Sequence, residues 1–290
     1  MVLKYCLLLF TTLQFIQARK VVDLTHTYDK DVPKYPLGWL GLENFTYFKM
    51  DTLAAQFIDE MWIAFKKIEY YEHQGTHIDA PIHFGSGRQT LEEIPPERLI
   101  GPGVVIDIRN KVTNNSDYAV TVQDILDHED EYERIPPNAI VSLNSGWAQK
   151  YPNANLIFGT ENTSDPTTFH FPGWSVEACE MLLQERQVSV LGVDTPSTDP
   201  AQPPIYPCHI YLQTNNVPLL EYIANLDSIP PRGTTIVLGA PKVRGGTGGP
   251  TRIFALIDDD QEQEITSNSA SRNFMSAIFA FMYLNVFRFC

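Results

Sequence analysis

Between residues 20 and 258, short apolar runs alternate with amphipathic stretches, and no repeat or low-complexity linker interrupts them. The runs at 104–108, 139–143, 188–193 and 234–238 are brief and rich in Val and Ile, which predicts buried strands. Two helices show their starting signals. Thr121-Val122-Gln123-Asp124 has the spacing of a capping box, with Asp in place of the usual Glu. Ser175 is an N-cap for a helix over 176–186, in which Ala178, Met181 and Leu182 make an inward stripe. Proline pairs at 95–96, 136–137, 203–204 and 230–231 mark turns between elements. The pattern predicts a single α/β domain built on a mixed sheet.

One stretch carries more than packing information. His73-Gln74-Gly75-Thr76-His77-Ile78-Asp79-Ala80-Pro81-Ile82-His83 gathers three of the seven histidines and a carboxylate. All four lie at odd-numbered positions, so an extended strand would project them to one side. On a helix His73 and His77 would align, but Asp79 would point away, and Gly75 and Pro81 both disfavour that conformation. The expectation is a strand, or a strand end, that presents two imidazoles, a carboxylate and a further histidine to one spot. Two neutral imidazole nitrogens and a carboxylate oxygen form a three-ligand set that leaves metal positions open for water. A solvated polar strand is the alternative, and the apolar neighbours Ile78, Ala80, Ile82 and Phe84 argue against it.

The same motif resembles the signature of the metal-dependent cyclase/kynurenine formamidase superfamily, which includes isatin hydrolase. Further blocks match in order: Val22-Asp23-Leu24-Thr25-His26, Val32-Pro33-Lys34-Tyr35-Pro36, Asn144-Ser145-Gly146-Trp147, Gly192-Val193-Asp194-Thr195-Pro196-Ser197-Thr198-Asp199 and the run from Arg244 to Arg252. The resemblance implies a swivelling β/β/α architecture. It also implies that His209 and Glu221, which alone would be read as a core histidine and a surface acid, are metal ligands. Carried over by position, His73, His77 and Asp79 would hold one divalent metal, and Asp79, Glu221 and His209 would hold a second. Imidazole and carboxylate suit Zn or Mn, one or two per chain. His83 is then expected to be the catalytic residue, delivering a proton to the leaving nitrogen while metal-activated water attacks the carbonyl; a fourth ligand is its other reading.

The activity implied is hydrolysis of an amide bond in a small-molecule substrate, with N-formyl-L-kynurenine leading. An isatin-like lactam is the alternative, as is a non-catalytic binding protein on the same fold. Tyr35, or Trp39 nearby, is expected to stack on the substrate, although bacterial kynurenine formamidases usually carry Trp where Tyr35 stands. Gly245-Gly246-Thr247-Gly248-Gly249 lacks the P-loop lysine and is read as a tight connection between strands at 234–243 and 251–258. Ser145 and Ser197 lack the Gly-x-Ser-x-Gly spacing of a nucleophile elbow. His26 is expected to pack in the N-terminal strand, and His128 and His170 to lie in polar or loop contexts.

Address signals flank this domain. Residues 1–18 combine Lys4, a short apolar run at 5–10 and a small residue at Ala18, which reads as a secretory signal peptide, followed by the hydrolase domain over 19–264. Sequons at Asn44, Asn114 and Asn162 fit glycosylation outside the cell. Residues 265–290 form a polar spacer and an apolar tail. The tail resembles a GPI-anchor signal or a packed C-terminal helix, and at about 16 residues it falls short of the roughly 20 needed to span a bilayer. Membrane attachment through that lipid anchor, at the extracellular surface, is therefore expected. Cys179 and Cys208 either pair, as an oxidising compartment allows, or leave a buried thiol beside the site. The formal charge of −14, with no basic patch, excludes nucleic acid as a partner. A homo-oligomer is the expected assembly.

Overall fold

The computed structural model describes residues 19–42 and 47–258. By its internal contacts the chain divides into a large unit, Val22–Ala255, and a terminal unit of Met1–Val21 with Leu256–Cys290. In the terminal unit the described residues are the outer ends of two strands. The leader, the sequon at Asn44 and the apolar tail lie outside the described residues.

The strands are β1 (Arg19–Asp23), β2 (Phe48–Ile58), β3 (Met61–Tyr70), β4 (His77–Asp79), β5 (Ile100–Asp107), β6 (Ala119–Val120), β7 (Ile140–Asn144), β8 (Gly173–Trp174), β9 (Val190–Val193), β10 (Leu219–Glu221), β11 (Thr234–Gly239), β12 (Gly248–Pro250) and β13 (Arg252–Asp258). Helices α1 (Arg109–Val112), α2 (Val122–Tyr132), α3 (Ala154–Phe158), α4 (Val176–Gln184) and α5 (Pro207–Thr214) are interleaved with them. The main sheet has the order β1-β13-β11-β5-β7-β9-β10-β4-β12, of which the parts between Val22 and Ala255 belong to the large unit. Its centre, β5-β7-β9-β10, is parallel, and β11, β4 and β12 add antiparallel margins. This is the mixed sheet expected from the sequence.

Parallel strands are covered on both faces, so they read as continuous apolar runs. β7 and β9 are buried along their whole length. Alternation still sorts their side chains. Val104, Ile106, Val141, Leu143, Leu191, Val193 and Leu219 share one core cluster with Ile125 of α2, Ala178 and Leu182 of α4, and Leu212 of α5. The caps are as the sequence predicts. The Thr121 hydroxyl accepts from the Asp124 amide while the Asp124 carboxylate accepts from the Thr121 amide, and the Ser175 hydroxyl accepts from the Ala178 amide. A disulfide joins Cys179 on α4 to Cys208 on α5, resolving the two readings of that pair in favour of pairing.

Two features depart from the sequence-based expectation. The glycine-rich run is not only a connection: Gly248-Gly249-Pro250 form β12, which pairs with β4. Hydrophobic patterning does not reveal a strand made of two glycines and a proline. β2 and β3 form a separate two-stranded hairpin, on which Met50, Leu53, Phe57, Trp62, Phe65 and Ile68 are exposed.

Candidate metal centre and its cavity

β4 lies between β10 and β12, with His77 opposite Glu221 and Asp79 opposite Leu219. The pleat puts His77 and Asp79 on one side, and the register places Glu221 beside them. His77 Nε2 is therefore 3.2 Å from Asp79 Oδ1 and 3.5 Å from Glu221 Oε2. His209, in the first turn of α5, brings its Nε2 to 3.1 Å from Glu221 Oε1 and 3.5 Å from Asp79 Oδ2. His73 precedes the strand, and its Nδ1 lies 2.6 Å from Asp79 Oδ1. His83 ends the 3-10 turn Pro81–His83 and stacks on His73, with 3.8 Å between ring centroids.

The six residues singled out by the sequence thus meet, though not along one extended strand. β4 covers only three residues. Gly75, with φ of +60°, turns the chain ahead of it, and Pro81, which cannot donate to a ladder, closes it. The odd-numbered side chains converge because a turn on each side folds His73 and His83 back over the strand.

Both fully buried imidazoles are oriented by their other nitrogen. The Nδ1–H of His77 donates to the Gly75 carbonyl at 2.8 Å, and Nδ1 of His209 lies 2.6 Å from the Asp199 carboxylate. Each ring is thereby turned so that Nε2 faces the cluster, a common way of fixing a metal-binding tautomer. His77 Nε2 and Asp79 Oδ2 are buried and have no hydrogen-bond partner. Ligand atoms of His77, Asp79 and Glu221 lie within 4.8 Å of one another, as do those of His73, Asp79 and His83. Two buried carboxylates facing several imidazoles, with orphaned donor atoms between them, fit a divalent cation of the Zn or Mn type.

The electrostatics agree. Burial opposes charge on His77 and His209, but the adjacent carboxylates outweigh it and lift both imidazoles, His209 strongly. Burial likewise opposes ionisation of Asp79, and the surrounding imidazoles outweigh it, so Asp79 is held well below the usual carboxylate range. The cluster attracts positive charge. His83 is pushed down to about 3 by burial, with the neighbouring imidazoles adding to the shift against the pull of Asp79. It is neutral at physiological pH.

Above the cluster is a cavity of about 310 Å³, walled by Tyr35, Tyr71, Phe84, Tyr206 and Tyr222 and floored by the histidines and carboxylates. The Tyr35 and Tyr206 hydroxyls are 3.1 Å apart, and the Tyr35 ring sits edge-on to Phe158 and Phe169. Among the described residues lining this space there is no Lys or Arg. Trp39 lies in the turn Gly38–Leu40, and its side chain is outside the described ones.

The model of the Cyclase family matches residues 22–200. The chain belongs to the Cyclase family. Isatin hydrolase of Roseibium aggregatum is 27% identical over 246 residues, covering 82% of this chain and 92% of that one. Kynurenine formamidase of Salinibacter ruber is 24% identical over 196 residues, covering 67% and 80% respectively. Among solved structures, isatin hydrolase A of Ralstonia solanacearum superposes with a TM-score of 0.73 at 31% identity, covering 89% of this chain and 96% of that one. An isatin hydrolase bound to the product analogue thioisatinate gives a TM-score of 0.76 at 26% identity, covering 89% and 99%. The mixed α/β fold expected from the sequence is the fold of these neighbours.

Two residues of this cyclase escaped sequence reasoning. Asp199 accepts from the Cys208 and His209 amides at the start of α5, in addition to meeting His209 Nδ1. It caps the helix and aims its histidine at once. Asp194 accepts from the Ser145 hydroxyl and from the Ser145 and Trp147 amides, fixing the loop after β7; burial lifts it to about 6 against those bonds. Both lie in the Gly192–Asp199 block, whose match to the family was legible although the roles within it were not. The remaining histidines are structural, as expected. His26 stacks on Tyr151, and His170 pairs with Asp117, but His128, within a polar stretch as expected, is helical and buried on α2.

Proposed function

We propose that this cyclase is a metal-dependent hydrolase of an uncharged aromatic amide, an isatin-like lactam before N-formyl-L-kynurenine. The observation that carries the hydrolase reading is the buried cluster of Asp79, Glu221 and oriented imidazoles under an aromatic cavity. His73, His77, Asp79, His209 and Glu221 would hold the metal, which when bound polarises a carbonyl and lowers the pKa of water. Tyr35, Phe84 and Tyr206 present ring faces and edges to an aryl group. His83, neutral and at the edge of the cluster, accepts a proton from the attacking water at a ring nitrogen and returns it to the departing nitrogen. Enclosure of the cluster limits access of bulk water to the reacting atoms.

Substrate charge decides between the two amides. Formylkynurenine carries an α-carboxylate and an ammonium, and a buried carboxylate needs a cationic or multiply donating partner. The described cavity lining holds no Lys or Arg and offers only single hydroxyl donors from its tyrosines and Ser197, whereas isatin is flat and neutral. The formamidase relatives keep the second reading in play. On metal-loaded protein, kcat/KM for isatin should exceed that for formylkynurenine by tenfold or more, the order of one unpaired buried group, and Tyr35→Ala should lower both. Faster turnover of formylkynurenine would reverse the ranking and leave the hydrolase reading intact.

We also propose an extracellular address and a homo-oligomer. The Cys179–Cys208 disulfide favours an oxidising compartment, and Asn114 and Asn162 are exposed. Glycan on those asparagines and release of the protein from cells by a phosphatidylinositol-specific phospholipase would support secretion and the lipid anchor. Unglycosylated protein in the cytosol would remove both. A two-stranded hairpin with exposed Phe57, Trp62 and Phe65 is marginal in water unless it packs on something, and a second copy of the chain is the partner it always meets. Sedimentation should return a multiple of the chain mass, and a monomer would remove this part.

A further inference from the structure

The glycine-rich run between β11 and β13 packs directly on His73, and the proton directions there are constrained. Thr247 Oγ is 2.6 Å from Glu72 Oε2, and its amide also donates to the same oxygen at 3.3 Å. An ionised carboxylate can only accept, so the Thr247 hydroxyl proton is committed to Glu72. His73 Nε2 lies 2.8 Å from the same Thr247 oxygen. With the hydroxyl proton already given away, this bond forms only if Nε2–H donates. In the neutral ring Nδ1 is then bare, and it points at Asp79 Oδ1, 2.6 Å away, another acceptor. Two lone-pair atoms at that separation need a cation between or beside them.

The backbone is shaped to the same end. A Cβ on Gly248 would stand 2.6 Å from His73 Cε1 and 3.0 Å from its Nδ1, so any larger residue would displace the imidazole. Gly246 similarly leaves room for Glu72, whose Oε1 would be 3.3 Å from an added Cβ. The run is a seat for one histidine.

We propose that Glu72 and Thr247 are positioning residues that fix His73 in the Nε2–H tautomer, so that Nδ1 is its metal-binding atom. This rests on the metallohydrolase reading. It differs from the arrangement at His77 and His209, where Nδ1 is engaged by protein and Nε2 faces the cluster. Outer partners of this kind typically contribute 10–100-fold to metal affinity.

The test is the dissociation constant for Zn²⁺ and for Mn²⁺ of full-length protein, measured by chelator competition. Thr247→Val, equal in size but without the hydroxyl, should weaken binding by roughly 10–100-fold. Thr247→Ser, which restores the oxygen, should return affinity to within about twofold of the starting protein, a rescue that mere packing at this position would not give. Glu72→Ala should weaken binding alone yet add little in the Thr247→Val background, because it acts through that hydroxyl. Unchanged affinity in Thr247→Val, no rescue by serine, or additive losses would each overturn the inference. Were the unsubstituted protein to bind neither ion, the metallohydrolase reading would fail first and this inference with it.

Discussion

Asp79→Asn is expected to remove stoichiometric metal and to lower kcat/KM by about 10³-fold or more, the several kcal/mol that a Lewis-acid site supplies. Asp79 is almost fully buried at 1% exposure, and its two oxygens reach His73, His77 and His209. It is also the residue shared by the two groups whose ligand atoms lie within 4.8 Å. Asparagine keeps the shape but removes the charge. Its amide nitrogen would bring a donor to imidazole nitrogens whose lone pairs a cation needs. Elemental analysis of the purified variant, alongside its kinetics and its melting temperature, separates metal loss from unfolding. A variant that keeps a full metal complement would show that Asp79 is not a ligand.

How far this site was legible in the sequence depends on the range of each contact. His73, His77, Asp79 and His83 lie within one segment, and their spacing alone announced a common target. The route was different from the one spacing suggested: parity along a strand gave the right set of residues, while Gly75 and Pro81 supplied the turns that bring the outer two into place. Glu221 and His209 could not be found by local spacing, because they arrive through the β4–β10 register and the first turn of α5. Family resemblance supplied them. Asp199, across a loop from His209, and the Glu72–Thr247 pair, far apart in sequence, make their contacts through side-chain geometry, which no pattern of residue types displays. Their partners can be assigned only once the sheet is assembled.

The fold follows the same division. Buried parallel strands such as β7 and β9 are visible as Val- and Ile-rich runs, and the caps at Thr121 and Ser175 are local chemistry that survives into the structure. β12 is the opposite case. Its glycines contribute only backbone to the sheet, and its reason for being there is to let His73 approach β4 closely.

His83→Ala should retain metal while losing roughly 10²–10⁴-fold in kcat, the usual contribution of a general acid–base group. The structure gives two reasons to separate His83 from the ligands. It stacks face-on against His73, and burial pushes it down to about 3, so the ring is neutral and able to accept a proton near neutral pH. His83 nevertheless falls in one of the two candidate ligand groups, and affinity rather than activity must therefore decide. His77→Ala is the control, since its Nε2 is a buried orphan at the centre of the cluster and its removal should cost metal and activity together. Metal affinity of His83→Ala within about threefold of the unsubstituted protein, far less than the 10–100-fold that even an outer partner contributes, combined with collapsed turnover, fits a proton-transfer residue. Loss of the ion on the same substitution would make His83 a ligand, and the proton would then need another carrier. The described cavity also holds the hydroxyls of Tyr35, Tyr71, Ser197, Tyr206 and Tyr222, and burial raises Tyr35, Tyr71 and Tyr222 too far to shuttle protons near neutrality, which leaves Ser197 and Tyr206.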